Sequence, residues 1–304
     1  VSGQDFLFDG DAAKWLKFAY GLKARFTMRL ILRSSNKPAD LEKVLEYVSK
    51  SFTSADEQAA FSLYDATNIN PFYGFYTARA ALGASQSLCN KLIANNDPRA
   101  GRAFFTPVAN QKRTQVAAND AALVPAPNGS PDQSTSKYGI SAFMYAKTAP
   151  TLLLSYHELL FLKAEALARL GRDAEAALKD AVVAGLLNAE NSISISIKEL
   201  GTALNTNGSA PFDATNAEAY FDNVVKARYT ANPLQETMIQ KYFALWGTSG
   251  EATETYNDIR RMKGMNENFI TLSNPLNATK FPLRYSYGNS DTSANPEVKA
   301  AYCN

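Results

Sequence analysis

Residues 152–187, LLLSYHELLFLKAEALARLGRDAEAALKDAVVAGLL, constrain the fold of this chain more than any other stretch. Apolar residues recur every three or four positions on both sides of Gly171-Arg172. That period predicts two amphipathic helices folded back on each other across a tight turn. Ala164, Ala168, Gly171, Ala174 and Ala177 gather near the turn, where small side chains let helices approach closely. Such a unit must bury both inner faces, so helix-on-helix layers are expected.

The arrangement Ala-x-x-x-Ala-x-x-Gly-x-x-x-x-Ala resembles a tetratricopeptide helical hairpin. QKYFALWGTSGEATETYNDIRRMK (240–263) is a second candidate. Its apolar-aromatic turns stop at Gly247-Thr248-Ser249-Gly250, and a second helical pattern ends in Arg260-Arg261. Near the start of the chain, Asp11 reads as an N-cap. Trp15, Phe18, Ala19, Leu22, Phe26 and Leu30 then form one helix face, ended by Asn36-Lys37-Pro38. A helix over roughly 40–50 follows.

Residues 66–77, ATNINPFYGFYT, carry asparagines, a proline, a glycine and four aromatics, and read as a loop. ALGASQSLCNKLIANND resumes a helix. Residues 106–150, rich in Pro, Asn, Gly, Ser and Thr, predict a long irregular excursion, either functional or a linker. ISISIKEL alternates like a short strand, and NAEAYFDNVVKARY is helical again. Beyond Met265, the Pro- and Asn-rich sequence reads as an extended tail packed on the helices.

The chemistry open to the chain is narrow. Its one histidine, His157, lies mid-helix with no Ser or Cys nucleophile motif beside it, and reads as structural. No His-Glu-x-x-His, phosphate-binding or dinucleotide-binding glycine pattern is present. Cys89, Cys303 and His157 are too few for a transition-metal site. A bridge between the two cysteines is conceivable; two free thiols is the simpler reading. FDGDAAKW lacks the later ligands of a calcium loop, so Asp9 and Asp11 are expected at a turn and helix start. Glu251, Glu254 and Asp258 share one helix face, which does not flank a glycosidic bond from two sides. They are expected on a solvated helix start, with Arg260 and Arg261 complementing the other end of the dipole. No catalytic residue, cofactor or metal is expected.

Charge adds little: the formal net charge is +2, the pI near 8.4, and 20% of residues are charged. That gives no electrostatic case for nucleic acid, and no basic run suits an anionic membrane surface. VSGQDFLFDG is no signal peptide, and no stretch is long enough to span a bilayer. The chain is expected to be soluble, with any membrane attachment supplied from outside it. Aromatics remain. Trp15 and Trp246 occupy core-like helical positions. Phe72, Tyr73, Phe75 and Tyr76, grouped around Gly74, leave two readings open: anchors for the loop, or a platform for a ligand.

Several stretches in series resemble the SusD/RagB family of outer-membrane nutrient-binding lipoproteins. GDAAKWLKFAYGLKARFTMRL is similar to the family's Trp helix, and NDPRAGRAFFTP to its Asp-Pro-Arg segment. SYHELLFLKAEALARLG resembles its Tyr-Ala-Glu helix, with His157 in place of a small residue. QKYFALW, YNDIRRMKG and FPLRYSYGNSD resemble segments near its end. The resemblance implies a mainly α, SusD-like fold of tetratricopeptide-like hairpins with long irregular loops. The chain, read as one domain over 1–304, starts almost at the Trp helix and looks as though it lacks the family's N-terminal section. It further implies a surface-exposed lipoprotein on the extracellular face of the outer membrane, anchored by lipid outside this sequence. Such a protein lids a SusC-like TonB-dependent transporter and captures an oligosaccharide or a peptide without catalysis. Binding residues in that family lie in variable loops, so none is carried over by motif. The alternative is a helical-repeat interaction subunit with no small-molecule ligand.

Overall fold

The computed structural model describes residues 3–247, 251–273 and 287–303. Helices dominate, and their ends are written in the sequence. The carboxylate of Asp11 accepts from the amides of Ala13 and Lys14 at the start of α1 (Ala12–Leu30), satisfying donors that a first turn leaves free. Asn36 caps α2 (Lys37–Ser49), with Pro38 in its first turn. Asn-Lys-Pro is therefore the beginning of the second helix as well as the end of the first.

The stretch expected as a loop contains α3 (Pro71–Arg79). Asn70 accepts from the Phe72 amide and Pro71 opens the helix, so this Asn-Pro pair initiates a helix instead of breaking one. Ala80, left-handed at φ +46°, ends it. Ser85 caps α4 (Gln86–Ala94), and the single turn α5 (Arg99–Arg102) follows Asp97-Pro98.

The central hairpin is α6 (Tyr156–Arg169) and α7 (Glu175–Leu200). Ser155 caps α6. At the turn, Gly171 adopts φ +69° and the Arg172 amide closes onto the Leu167 carbonyl, a helix ending that a residue with a Cβ resists. α7 runs on through Ile193–Ile197, so the ISISI alternation is helical and the expected strand is absent. Ile193 and Ser196 both turn inward, and the Ser196 hydroxyl donates to the Ala142 carbonyl at 2.6 Å; tertiary packing has overridden β propensity. α8 (Ala214–Tyr220), a π-helical turn and α9 (Lys226–Ala231) form one helical run. α10 (Pro233–Ala244) and α11 (Ala252–Gly264) make the second hairpin. In the tail, α12 (Asn289–Ala294) and α13 (Pro296–Cys303) replace the expected extended chain, and residues 274–286 lie outside the described residues.

Short strands tie down the 106–150 excursion. β1 (Ala59–Phe61) pairs antiparallel with β5 (Thr151–Leu154). A four-stranded sheet has the order β4 (Ile140–Ser141), β2 (Phe104–Phe105), β3 (Arg113–Val116), β6 (Leu204–Asn205), with only the β3–β6 pair parallel.

α6 is buried on both sides. Leu160, Phe161 and Ala164 enter a large core with α4, α7, α10 and the four-stranded sheet; Leu159, Leu162 and Ala166 enter a smaller one with α1, α2 and β5. A helix with apolar residues on two faces belongs in such a place. α1 departs from expectation. Trp15 is 42% exposed, Phe26 47% and Leu30 62%, while Gly21, Ala24, Arg25 and Met28 face inward. The apolar stripe is turned outward because Arg25 ion-pairs with Glu158 on α6, and that pair sets the rotation of the helix. Of the stripe, Phe18 and Leu22 are half-buried, Phe18 packing with Phe8 and Phe52, and Trp15 meets Phe8 edge-on. Among the described residues no helix is long and apolar enough to cross a membrane.

Candidate functional site

The charged residues of the recurring segments meet inside the protein. Arg25 Nε donates to Glu158 at 2.8 Å, and its Nη2 to the Leu153 carbonyl at 2.8 Å. Glu165 receives Arg261 at 2.5 and 3.0 Å and Arg169 at 2.7 Å, with Lys241 at 3.7 Å. Asp258 takes Lys241 at 2.8 Å and Arg261 at 2.7 Å. Glu254 pairs with Arg29, and Glu251 accepts from the Ser155 amide. Glu251, Glu254 and Asp258 are thus buried at 1, 5 and 8% exposure, not solvated. Their face points at the cations of α1, α10 and their own helix. Arg261 is likewise drawn inward, and Arg260 alone stays at the surface beside Tyr256.

These pairs set the charge states. Burial would raise the Glu165 carboxyl, but Arg261, Arg169 and Lys241 outweigh it and hold it well below the usual range. Glu158 is lowered in the same way by Arg25. Glu251 is pushed well above its usual value by burial and by the Glu158 charge. His157, fully enclosed, is depressed to about 4 by burial. His157 is therefore uncharged at neutral pH, so its 3.9 Å approach to Glu251 is not an ion pair. Each acidic side chain in this network is bonded to protein cations or amides, and among the described residues Glu251 Oε2 is the one carboxyl oxygen of the network buried without a hydrogen-bond partner. The network locks α1, α6, α10 and α11 together. Among the described residues, no cluster of His, Cys, Asp and Glu is placed to hold a metal. Cys89 is a buried thiol raised to about 12 by burial; the side chain of Cys303 lies outside the described residues.

The four aromatics singled out in the sequence ride on α3 and separate into three environments. Phe72 lines a pocket of about 270 Å³ with Leu88, Phe143, Met144, Tyr242 and Trp246. Trp246 packs as expected, stacked on Phe104 at 5.3 Å and edge-on to Phe143 at 4.7 Å, and it also walls this pocket. Tyr73 and Tyr76, three residues apart on one helix face, both lie 5.3 Å from the ring of Tyr145. Phe75 points to solvent, 44% exposed.

Asn70 holds α3 against the segment carrying Tyr145. Its amide donates to the Lys147 carbonyl at 2.8 Å and its side chain to Ala149 at 2.7 Å. Lys147 sits 5.8 Å from the Tyr73 ring and pairs with Glu199 at 3.4 Å. From β3, Arg113 donates to the Tyr76 hydroxyl at 2.9 Å and to the Thr106 carbonyl at 2.5 Å. The result is a half-buried tyrosine cluster backed by cations, next to an apolar pocket. This is the combination of flat apolar faces and few polar groups that a shallow ligand site requires. Tyr145, Arg113 and Lys147 were not foreseen as site residues. Their only signal was membership of the 106–150 excursion.

Comparison with known proteins agrees with this architecture. A family model described as "Starch-binding associating with outer membrane", SusD-like, matches residues 1–288. A SusD/RagB family protein from Bacteroides thetaiotaomicron VPI-5482 is 78% identical, with a TM-score of 0.96 over 99% of this chain and 64% of that one. A SusD homolog from Bacteroides fragilis NCTC 9343 is 20% identical, with a TM-score of 0.66 over 98% of this chain and 66% of that one. A chitin-binding protein is also 20% identical, with a TM-score of 0.64 over 97% of this chain and 62% of that one. The chain thus spans a little under two thirds of the length of these relatives. No curated protein matches it. The match over nearly the whole sequence, together with the helical hairpins and their shared buried charges, places this chain in the SusD-like family of starch-binding proteins that associate with the outer membrane.

Proposed function

We propose that this chain captures an oligosaccharide nutrient, a peptide being the other ligand class, at the extracellular face of the outer membrane. It would hand that ligand to a SusC-like TonB-dependent transporter, with a lipid anchor outside this sequence holding it in place. Binding would be non-covalent, with no reactive group at work. The observation that carries the reading is the half-buried cluster of Tyr73, Tyr76 and Tyr145 beside the Phe72 pocket. Sugar rings present C–H faces to such aromatic planes, and the neighbouring Arg113 and Lys147 supply polar anchors. Calorimetric titration with a panel of glycans and peptides tests it. Saturable binding lost on replacing Tyr73 is expected, and absence of binding to every member of the panel overturns it.

A second reading, a protein-interaction subunit, is favoured by one specific feature. Trp15, Ala19, Phe26 and Leu30 leave an exposed apolar stripe along α1, of the kind that marks contact surfaces. A pull-down for a barrel partner from native membranes, compared between the wild type and a Phe26→Ser variant, separates this surface from the α3 site.

A further inference from the structure

Five arginines are buried among the described residues: Arg25, Arg99, Arg102, Arg113 and Arg261. Four of them pair with a carboxylate: Glu158, Asp97, Glu190 and Glu165 respectively. Among the described residues Arg113, 3% exposed, donates only to neutral oxygens, those of Thr106 and Tyr76. An enclosed cation without a counter-charge is costly, and proteins ordinarily neutralise one. The Arg113 charge is projected through the Tyr76 hydroxyl into the tyrosine cluster, where an anionic ligand would balance it.

From this we infer that the α3 surface selects saccharides bearing an anionic group, a carboxylate or a sulfate ester, over neutral ones. The Tyr76 hydroxyl accepts from Arg113, so its own proton is directed elsewhere, toward a ligand oxygen. A hydroxyl polarised by a guanidinium is a stronger donor, and an ionised acceptor strengthens the bond further. Lys147 is a second cation at the Tyr73 edge of the cluster. Its partner Glu199 is 3.4 Å away and both are partly exposed, a loose pair that an incoming anion can compete with. Tyr73 and Tyr145 offer the apolar faces on which a sugar ring rests, and the two cations flank them. This inference rests on the nutrient-binding reading above and narrows its ligand class.

The test is calorimetric titration of the 304-residue chain with a neutral malto-oligosaccharide, an oligogalacturonide and a sulfated chondroitin disaccharide. An anionic ligand is expected to bind about tenfold more tightly than the neutral one, with the advantage shrinking as salt is raised. The oligogalacturonide and chondroitin arms separate carboxylate from sulfate. Tyr76→Phe, which keeps the ring, and Lys147→Met, at a partly exposed site, are each expected to reduce the anionic-to-neutral affinity ratio. Equal affinity for neutral and anionic sugars overturns the inference and leaves nutrient binding standing. No binding of any sugar overturns both.

Discussion

Lys241 on α10 and Asp258 on α11 form a 2.8 Å ion pair in the interior, closing the hairpin whose connecting residues carry the Gly-Thr-Ser-Gly break. Lys241 also approaches Glu165 on α6, so one ammonium ties the second hairpin to the first. The segment that looked like either an active-site edge or two packed helices is, through this pair, a packing element.

Glu165 is the anionic centre of that network. Glu165→Ala would leave Asp258 alone to balance both Arg261 and Lys241, and Arg169 with Glu267 as its remaining partner. Removing one partner of a buried pair costs about 3–5 kcal/mol, and this carboxylate serves three cations. Urea unfolding is expected to show a loss of about that size, with Asp258 and Glu267 limiting it. Replacing the exposed Glu46, paired with Lys50, should leave the urea midpoint nearly unchanged.

His157 gives a pH signature. Its folded pKa is about 4 against an ordinary 6.5, the result of burial. The folded state therefore binds that proton less readily than the unfolded chain. Its contribution is complete above pH 6.5 and is lost as pH falls toward 4, amounting to roughly 3 kcal/mol across the window. His157→Gln is expected to flatten the decline of stability between about pH 6.5 and about pH 5, where carboxylates of ordinary or lowered pKa stay ionised. An unchanged slope in urea midpoints across that range would count against a neutral His157.

Gly21 lies in mid-helix, where alanine is ordinarily better by about 1 kcal/mol. A Cβ there would collide with Leu154 and come within 2.7 Å of the Ser51 hydroxyl. Overpacking of that kind costs about 1–3 kcal/mol. Gly21→Ala is expected to lower the thermal midpoint despite its gain in helix propensity.

Leu30 tests the rotation of α1. Leu30→Lys, at a position 62% exposed, should change stability by less than about 0.5 kcal/mol. A core leucine at that position would lose about 2–5 kcal/mol on truncation. A large loss in chemical denaturation would show that the stripe is covered in solution.

Tyr73→Ala addresses the α3 surface with the least structural disturbance. Tyr76 is the hydroxyl acceptor of Arg113, whereas Tyr73 meets the Tyr145 ring edge-on. Ligand affinity is expected to fall by about tenfold, with the melting temperature nearly unchanged. Retained affinity in calorimetry would remove this face of α3 from the site.

Much of the fold was legible locally. Asp11 and Ser155 cap helices where their spacing to the first apolar positions puts them, and Gly171 turns the central hairpin. These features depend on residues within a turn or two, so the sequence carried them in full. What it could not carry was the choice of partner. The stripe of α1 has the correct period, yet Arg25 finds Glu158 across 133 residues and rotates that stripe outward. The Ile-Ser alternation is strand-like until α7 draws Ser196 onto Ala142. The platform at α3 needed Tyr145 and Arg113, brought from β3 and the excursion by chain reversals that no local period encodes. Periodicity states which residues share a face. Only the long-range pairing of charges and apolar surfaces decides what that face meets.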